Sequence, residues 1–127
     1  MRPWKAKTKK RVFVSFDDRI LKDFVIWQCE KSDSPVQVED SSMEGTPDPG
    51  IWEEETRERI GRSDVVIVIV GDWTHRALGV LREVEIAREV GVPVHQLVGY
   101  KDSVPDPVPD AGPLLRWKWR DVKKMFG

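Results

Sequence analysis

Residues 62–87 read RSDVVIVIVGDWTHRALGVLREVEIA, and the fold is decided here. The stretch opens on an unbroken apolar run, Val65 to Val70, made only of β-branched residues. Branching at Cβ stiffens these side chains and suits them to a pleated surface. A run this short, set between Ser63-Asp64 and Gly71-Asp72, predicts a strand buried on both faces. Gly71 permits a tight turn at its end, and Thr74 stands where a helix cap belongs. From there to Ala87 apolar residues recur at helical spacing, giving strand, polar turn, helix. Ligands of open α/β sheets bind at the carboxyl ends of strands, so a site is expected here.

Upstream, Arg11 to Phe16 (RVFVSF) predicts a first strand ended by Asp17-Asp18. A helix is expected from Arg19 to about Lys31, with Leu21, Phe24, Val25 and Gln28 on one face. Val36 to Glu39 predicts a brief second strand, followed by Asp40-Ser41-Ser42. Residues 43–50 hold two prolines and two glycines and read as a loop. Ile51 to Gly61 predicts a charged helix with Trp52, Thr56 and Ile60 on one stripe. Downstream, Val92 to Val98 predicts a fourth strand, and residues 103–113, with four prolines, exclude regular structure. Leu114 to Trp119 is expected as an edge strand, with a terminal helical turn over Arg120 to Phe126.

Strands alternating with helices imply right-handed crossovers and a parallel sheet covered on both faces. The expected class is therefore α/β: a flavodoxin-like three-layer sandwich with five parallel strands in the order 2-1-3-4-5. Residues 1–10 form a basic lead-in, and 11–127 form one domain. In this order the crevice lies between strands one and three. Phe16-Asp17-Asp18 line one side of it and Gly71-Asp72-Trp73-Thr74-His75 the other.

The chain of 127 residues is long enough for a single core. Its 21 Lys and Arg against 22 Asp and Glu argue against general nucleic-acid binding. Basic residues crowd both termini, which read either as solvated ends or as phosphate-attracting patches. Cys29 is the lone cysteine, a usage that fits a reducing cytoplasm and excludes a cysteine metal cluster. No stretch approaches the roughly 20 apolar residues of a membrane helix, and no secretory signal precedes the domain. A soluble cytoplasmic protein, without nucleic-acid or membrane partners, is expected.

In the helix after strand three, Val80, Val84 and Ala87 form the buried stripe. Glu85 and Glu89 face water and can pair with Arg82 and Arg88. Glu83 lies only about 60° from the centre of the stripe, where a carboxylate is partly desolvated. It needs either a task or an ion pair with a neighbouring Arg or Lys. His75 reads as a base, a ligand contact or a surface residue, and His95 as strand packing. Trp52 and Trp73 can stack on a ring or serve as rim. Asp17-Asp18 can hold magnesium, as in receiver domains, or cap a helix; capping is the simpler reading, and no metal site is expected. There is no GxGxxG, Walker loop, GxSxG or HExxH.

The frame RVFVSFD (11–17), DSP (33–35), RERIGRSDVVIVIVG (57–71), TH (74–75) and GVLREVEIA (79–87) resembles bacterial TIR-like domains. It is most similar to the small TIR proteins of Thoeris anti-phage defence systems. The resemblance spans roughly residues 11–100 and implies the same flavodoxin-like fold. In enzymatic TIR domains a glutamate on the helix after the third strand is essential for cleaving NAD at the nicotinamide–ribose bond. The matching position is Glu83. The family's Trp four residues earlier is Gly79 here, the Trp after the second-strand Asp is Ser41, and the first turn is about three residues shorter.

The resemblance implies an NAD glycosidase/cyclase, with NAD as substrate and no further cofactor. Its product would be a cyclic ADP-ribose-type signal that reaches a partner effector by diffusion. It also implies self-association for activity. Glu83 would be the catalytic carboxylate. Ser15, Phe16, Asp17, Asp40, Trp52, Gly71, Trp73, Thr74 and His75 would contact substrate, with residues 43–50 as a lid. The alternative is a non-catalytic TIR-like interaction or ligand-sensing module. A receiver domain would need a Ser or Thr after strand four, where this chain has Gly99.

Overall fold

The computed structural model describes residues 10–17, 36–39, 48–99 and 104–116. In chain order these form β1 (Lys10–Ser15), β2 (Val36–Glu39), α1 (Pro49–Gly61) and β3 (Val65–Val70). A 3₁₀ turn (Thr74–Arg76), α2 (Leu78–Val90), β4 (Val94–Val98) and β5 (Leu114–Leu115) follow. All strand pairings are parallel, and the strands lie in the order β2-β1-β3-β4-β5. The class is α/β.

β3 is the central strand, and every one of its residues is buried. Val66, Val68 and Val70 pack with Phe13 of β1 and with Ile60, Val80, Val84, Ile86 and Ala87 of the two helices. Val65, Ile67 and Ile69 alternate to the opposite face and are buried there too. The continuous apolar run is therefore a strand covered on both sides, as the sequence implies.

Boundaries differ from expectation where polar groups intervene. β1 begins at Lys10, one residue inside the expected lead-in, because the Asp64 carboxylate accepts from the Arg11 amide at 2.8 Å. The Asp64 amide in turn donates to the Arg11 carbonyl at 2.7 Å. At its other end the strand stops at Ser15, so Phe16 falls outside it. α1 starts at Pro49 rather than Ile51, because the Asp48 side chain caps it and proline suits the first helical turn. β4 starts at Val94 rather than Val92. Gly91, with φ 80°, closes α2, and the Val92 amide still donates to the Ala87 carbonyl at 2.9 Å.

Of the edge strand expected from Leu114 to Trp119, Leu114–Leu115 form β5, Arg116 does not continue it, and residues 117–119 lie outside the described residues. Residues 104–113 form no helix or strand. The expected helix at 19–31, the lead-in at 1–9, the loop at 43–47 and the terminal turn at 120–126 lie outside the described residues.

Candidate functional site

Strand parity builds the first half of the site. Phe13 of β1 pairs in register with Val66 and faces the helices. Ser15 lies two residues further on, so its side chain points to the same face at the strand's carboxyl end. α2 supplies the partner. Its buried residues include Ile86 as well as the expected Val80, Val84 and Ala87. At 100° per residue, Glu83 then lies within the buried arc, between Ala87 and Ile86, and no longer at its edge.

The Ser15 hydroxyl, on a fully buried residue, donates to Glu83 Oε1 at 2.6 Å. Glu83 keeps some accessible surface, so this corner opens to solvent at one point. Burial nevertheless pushes its carboxyl from the ordinary value of 4.5 up to about 7, with the Ser15 hydrogen bond pulling weakly the other way. The ion pair that the sequence also allowed is absent among the described residues. Arg82 binds Glu53 at 2.7 Å and also Glu85 and Glu89, away from the corner. Hydrogen bonds from Arg82 and Arg57 hold the Glu53 and Glu89 carboxyls, respectively, below the usual range.

The turn after β3 forms the second half. Thr74 is fully buried, and its Oγ1 accepts from the Gly71 amide at 2.7 Å while donating to Asp17 Oδ1 at 2.5 Å. Thr74 is therefore not the cap of α2. The α2 cap position is Ala77, which supplies no side-chain cap. Residues 74–76 close their own 3₁₀ turn through Arg76 to Trp73 and Ala77 to Thr74 bonds of 3.0 Å each. The hydroxyl turns inward because the buried Gly71 amide needs an acceptor. Asp17 accepts from Thr74, and the helix it was read as capping lies outside the described residues.

Two hydroxyl–carboxylate pairs thus cross-link the end of β1 to the β3–α2 unit. Of the remaining expected site residues, Phe16 and Trp52 are half-buried and Trp73 is 67% exposed. Asp40 lies outside the described residues. At Gly79 a Cβ would meet no atom of the described residues within 4 Å. His75 is more buried than a surface residue, at 21% side-chain exposure. Its Nε2 lies 3.5 Å from Asp106 Oδ2, and its Nδ1 is buried without a hydrogen-bond partner. His95 lies half-buried in β4.

No family model and no curated protein matches the chain. Among the described residues no helix is long and apolar enough to cross a membrane, and no cluster of three or more His, Cys, Asp or Glu could hold a metal ion.

Sequence reasoning missed two residues near the site. Asp106 reaches His75 from a segment read only as irregular. Gln96 is fully buried in β4 and fastens that same segment. The signal for Gln96 was present, since an amide inside Val94-His95-Gln96-Leu97-Val98 must find buried partners. No pattern in the sequence joins Asp106 to His75, 31 positions apart by subtraction of their numbers. In chemical terms, the hydrogen bonds to Glu83 and Asp17 both come from neutral hydroxyls. Among the described residues no cation pairs with these two carboxyls, and once ionised they suit a ligand that develops positive charge.

Proposed function

We propose that this protein is a TIR-like NAD glycosidase/cyclase of flavodoxin-like fold. It breaks the nicotinamide–ribose bond and makes a cyclic ADP-ribose-type signal for a partner effector in anti-phage defence. The observation that carries this reading is the Ser15–Glu83 pair, a largely desolvated carboxylate that takes a neutral hydroxyl donor from a fully buried serine at the carboxyl end of β1. In the reaction the C1′–nitrogen bond breaks, its electron pair returns to the ring, and nicotinamide leaves neutral. The positive charge passes to an oxocarbenium-like ribose, the species glycosidases also stabilise. A preorganised carboxylate opposes that charge without rearranging, and most strongly where water is scarce.

The other groups have compatible tasks. Ser15 orients the Glu83 carboxylate, while the exposed Asp17 carboxylate, steadied by the buried Thr74 hydroxyl, offers an acceptor to ribose hydroxyls. The uncapped amides at the head of α2 present the positive end of the helix dipole to a pyrophosphate. Trp73, Trp52 and Phe16 offer rings for stacking. Cyclisation then needs a second nucleophile of the same substrate folded against the ribose, with water kept out.

Incubation of concentrated protein with NAD, followed by chromatography and mass detection, tests the reading. Wild type is expected to release nicotinamide with a product of cyclic ADP-ribose mass. Glu83→Gln is expected to lose at least about 100-fold in rate, the scale of removing one preorganised electrostatic group. Glu85→Gln, on the exposed face of α2, retains wild-type turnover. Linear ADP-ribose as the product would remove the signal-synthase part of the proposal. Equal rates for the Glu83 and Glu85 variants would remove Glu83 from the chemistry.

A second reading, a non-catalytic interaction module working by self-association, is favoured by one observation. Trp73 and Leu78, flanking the 3₁₀ turn, are 67% and 82% exposed. Apolar groups so placed at a site's rim favour contact with another surface.

A further inference from the structure

The crossover from β4 to β5 has no helix among its described residues, 104–113, yet it is firmly placed. Val108 and Ala111 are buried in the core beneath α2. The Gln96 amide holds the segment at two points. Its Oε1 accepts from the Val108 amide at 2.8 Å, and its Nε2 donates to the Val108 carbonyl at 3.2 Å and to the Gly112 carbonyl. Both amide hydrogens and the oxygen are thereby used, so the segment is satisfied in one arrangement. Arg88 of α2 adds a 3.2 Å ion pair to Asp110.

Asp106 sits two residues before this anchor, between Pro105 and Pro107. Pro107 restricts its backbone to extended conformations, and Pro105 fixes φ on the other side. The carboxylate is thus presented with little backbone freedom to lose. It is 79% exposed, and the partner it meets is His75 Nε2 at 3.5 Å. His75 follows Thr74, whose hydroxyl joins Gly71 to Asp17. At 3.5 Å the contact is electrostatic, and a carboxylate so placed favours an imidazole hydrogen on Nε2 over one on Nδ1. For the buried, unpartnered Nδ1 this form is less costly than an orphaned N–H.

We infer that Asp106 is a positioning residue of the site, acting through His75 to hold the 74–76 turn against the end of β1. The proline segment is then a wall of the site and not merely a connector. Glu83 is held separately by Ser15, so loss of Asp106 alters how a ligand is seated more than how the carboxylate acts. The consequence for turnover rests on the proposed NAD chemistry; the structural coupling does not.

Amide hydrogen exchange of the full chain tests the coupling directly. In Asp106→Ala, exchange at residues 71–77 is expected to quicken by about 3- to 5-fold, the scale of one exposed contact between a charge and a polar group, with β3 and β4 unchanged. His75→Gln should produce the same change, and the double variant should add nothing further. Asp106→Asn keeps an acceptor oxygen and restores protection. With NAD, Asp106→Ala should raise KM about 3-fold and leave kcat unaltered, by the same free-energy scale. Unchanged exchange at 71–77, or effects of the two single variants that simply add, overturns the inference. If wild type turns over no NAD, the proposed function fails while the exchange result still decides this point.

Discussion

Glu83 combines a stability cost and a chemical task in one carboxyl. In the unfolded chain it ionises near 4.5, whereas in the fold it keeps its proton to about 7. Between those values the native state binds more protons than the unfolded state, so stability falls as pH rises. Glu83→Gln keeps an acceptor for Ser15 and has no charge to desolvate. Its stability should match wild type at about pH 4 and exceed it by about 2 kcal/mol at about pH 8, allowing for the accessible part of the side chain. Thermal unfolding of both proteins at the two pH values checks this, and a variant less stable at the higher pH would contradict the buried-carboxyl account. Turnover follows the opposite trend, because the reactive form is ionised. The kcat/KM profile should rise through about pH 7, and the kcat profile should rise at lower pH, since a bound cationic ring favours the carboxylate.

Among the elements, the turn between β3 and α2 shows how one hydroxyl replaces a helix cap. Thr74→Val is nearly isosteric but leaves the buried Gly71 amide and the Asp17 carboxylate without their shared partner. A loss of about 1–3 kcal/mol is expected in denaturant unfolding, and Thr74→Ser should recover most of it. The sequence placed Thr74 in the turn after β3 but assigned its hydroxyl to the wrong amide. A cap motif is a local pattern, whereas the demand of Gly71 arises only once β3 is buried. Strand β3 and helix α2 were legible for the opposite reason: their apolar periods are local and their burial follows from them. Ile86 was not legible as buried, because it lies off the main stripe and is covered only through tertiary packing.

At the scale of the molecule, parallel strands send every strand-to-helix connection to one end, and that end collects the unusual surface. Among the described residues, Ile51, Trp73 and Leu78 are exposed large hydrophobics that lie at or beside such connections. If self-association completes the site, Leu78→Ser should lower both the sedimentation coefficient at high concentration and the concentration dependence of NAD loss. An effect on one without the other would separate assembly from catalysis. The juxtaposition of Ser15, Asp17, Gly71, Thr74 and Glu83 was legible in the sequence, because the strand order fixes which loops meet. The sequence did not reveal the pairings, since Ser15–Glu83 and Asp17–Thr74 are set by register and helix rotation.

Gly79 adds a different kind of consequence. Because none of the described residues crowds its missing Cβ, almost any residue there would gain helix propensity, by up to about 1 kcal/mol, and displace none of them. Variation at this position is therefore uncoupled from folding. A lineage carrying this fold could trade one side chain for another at the mouth of the Ser15–Glu83 corner, and so explore new ligands, without passing through an unstable intermediate.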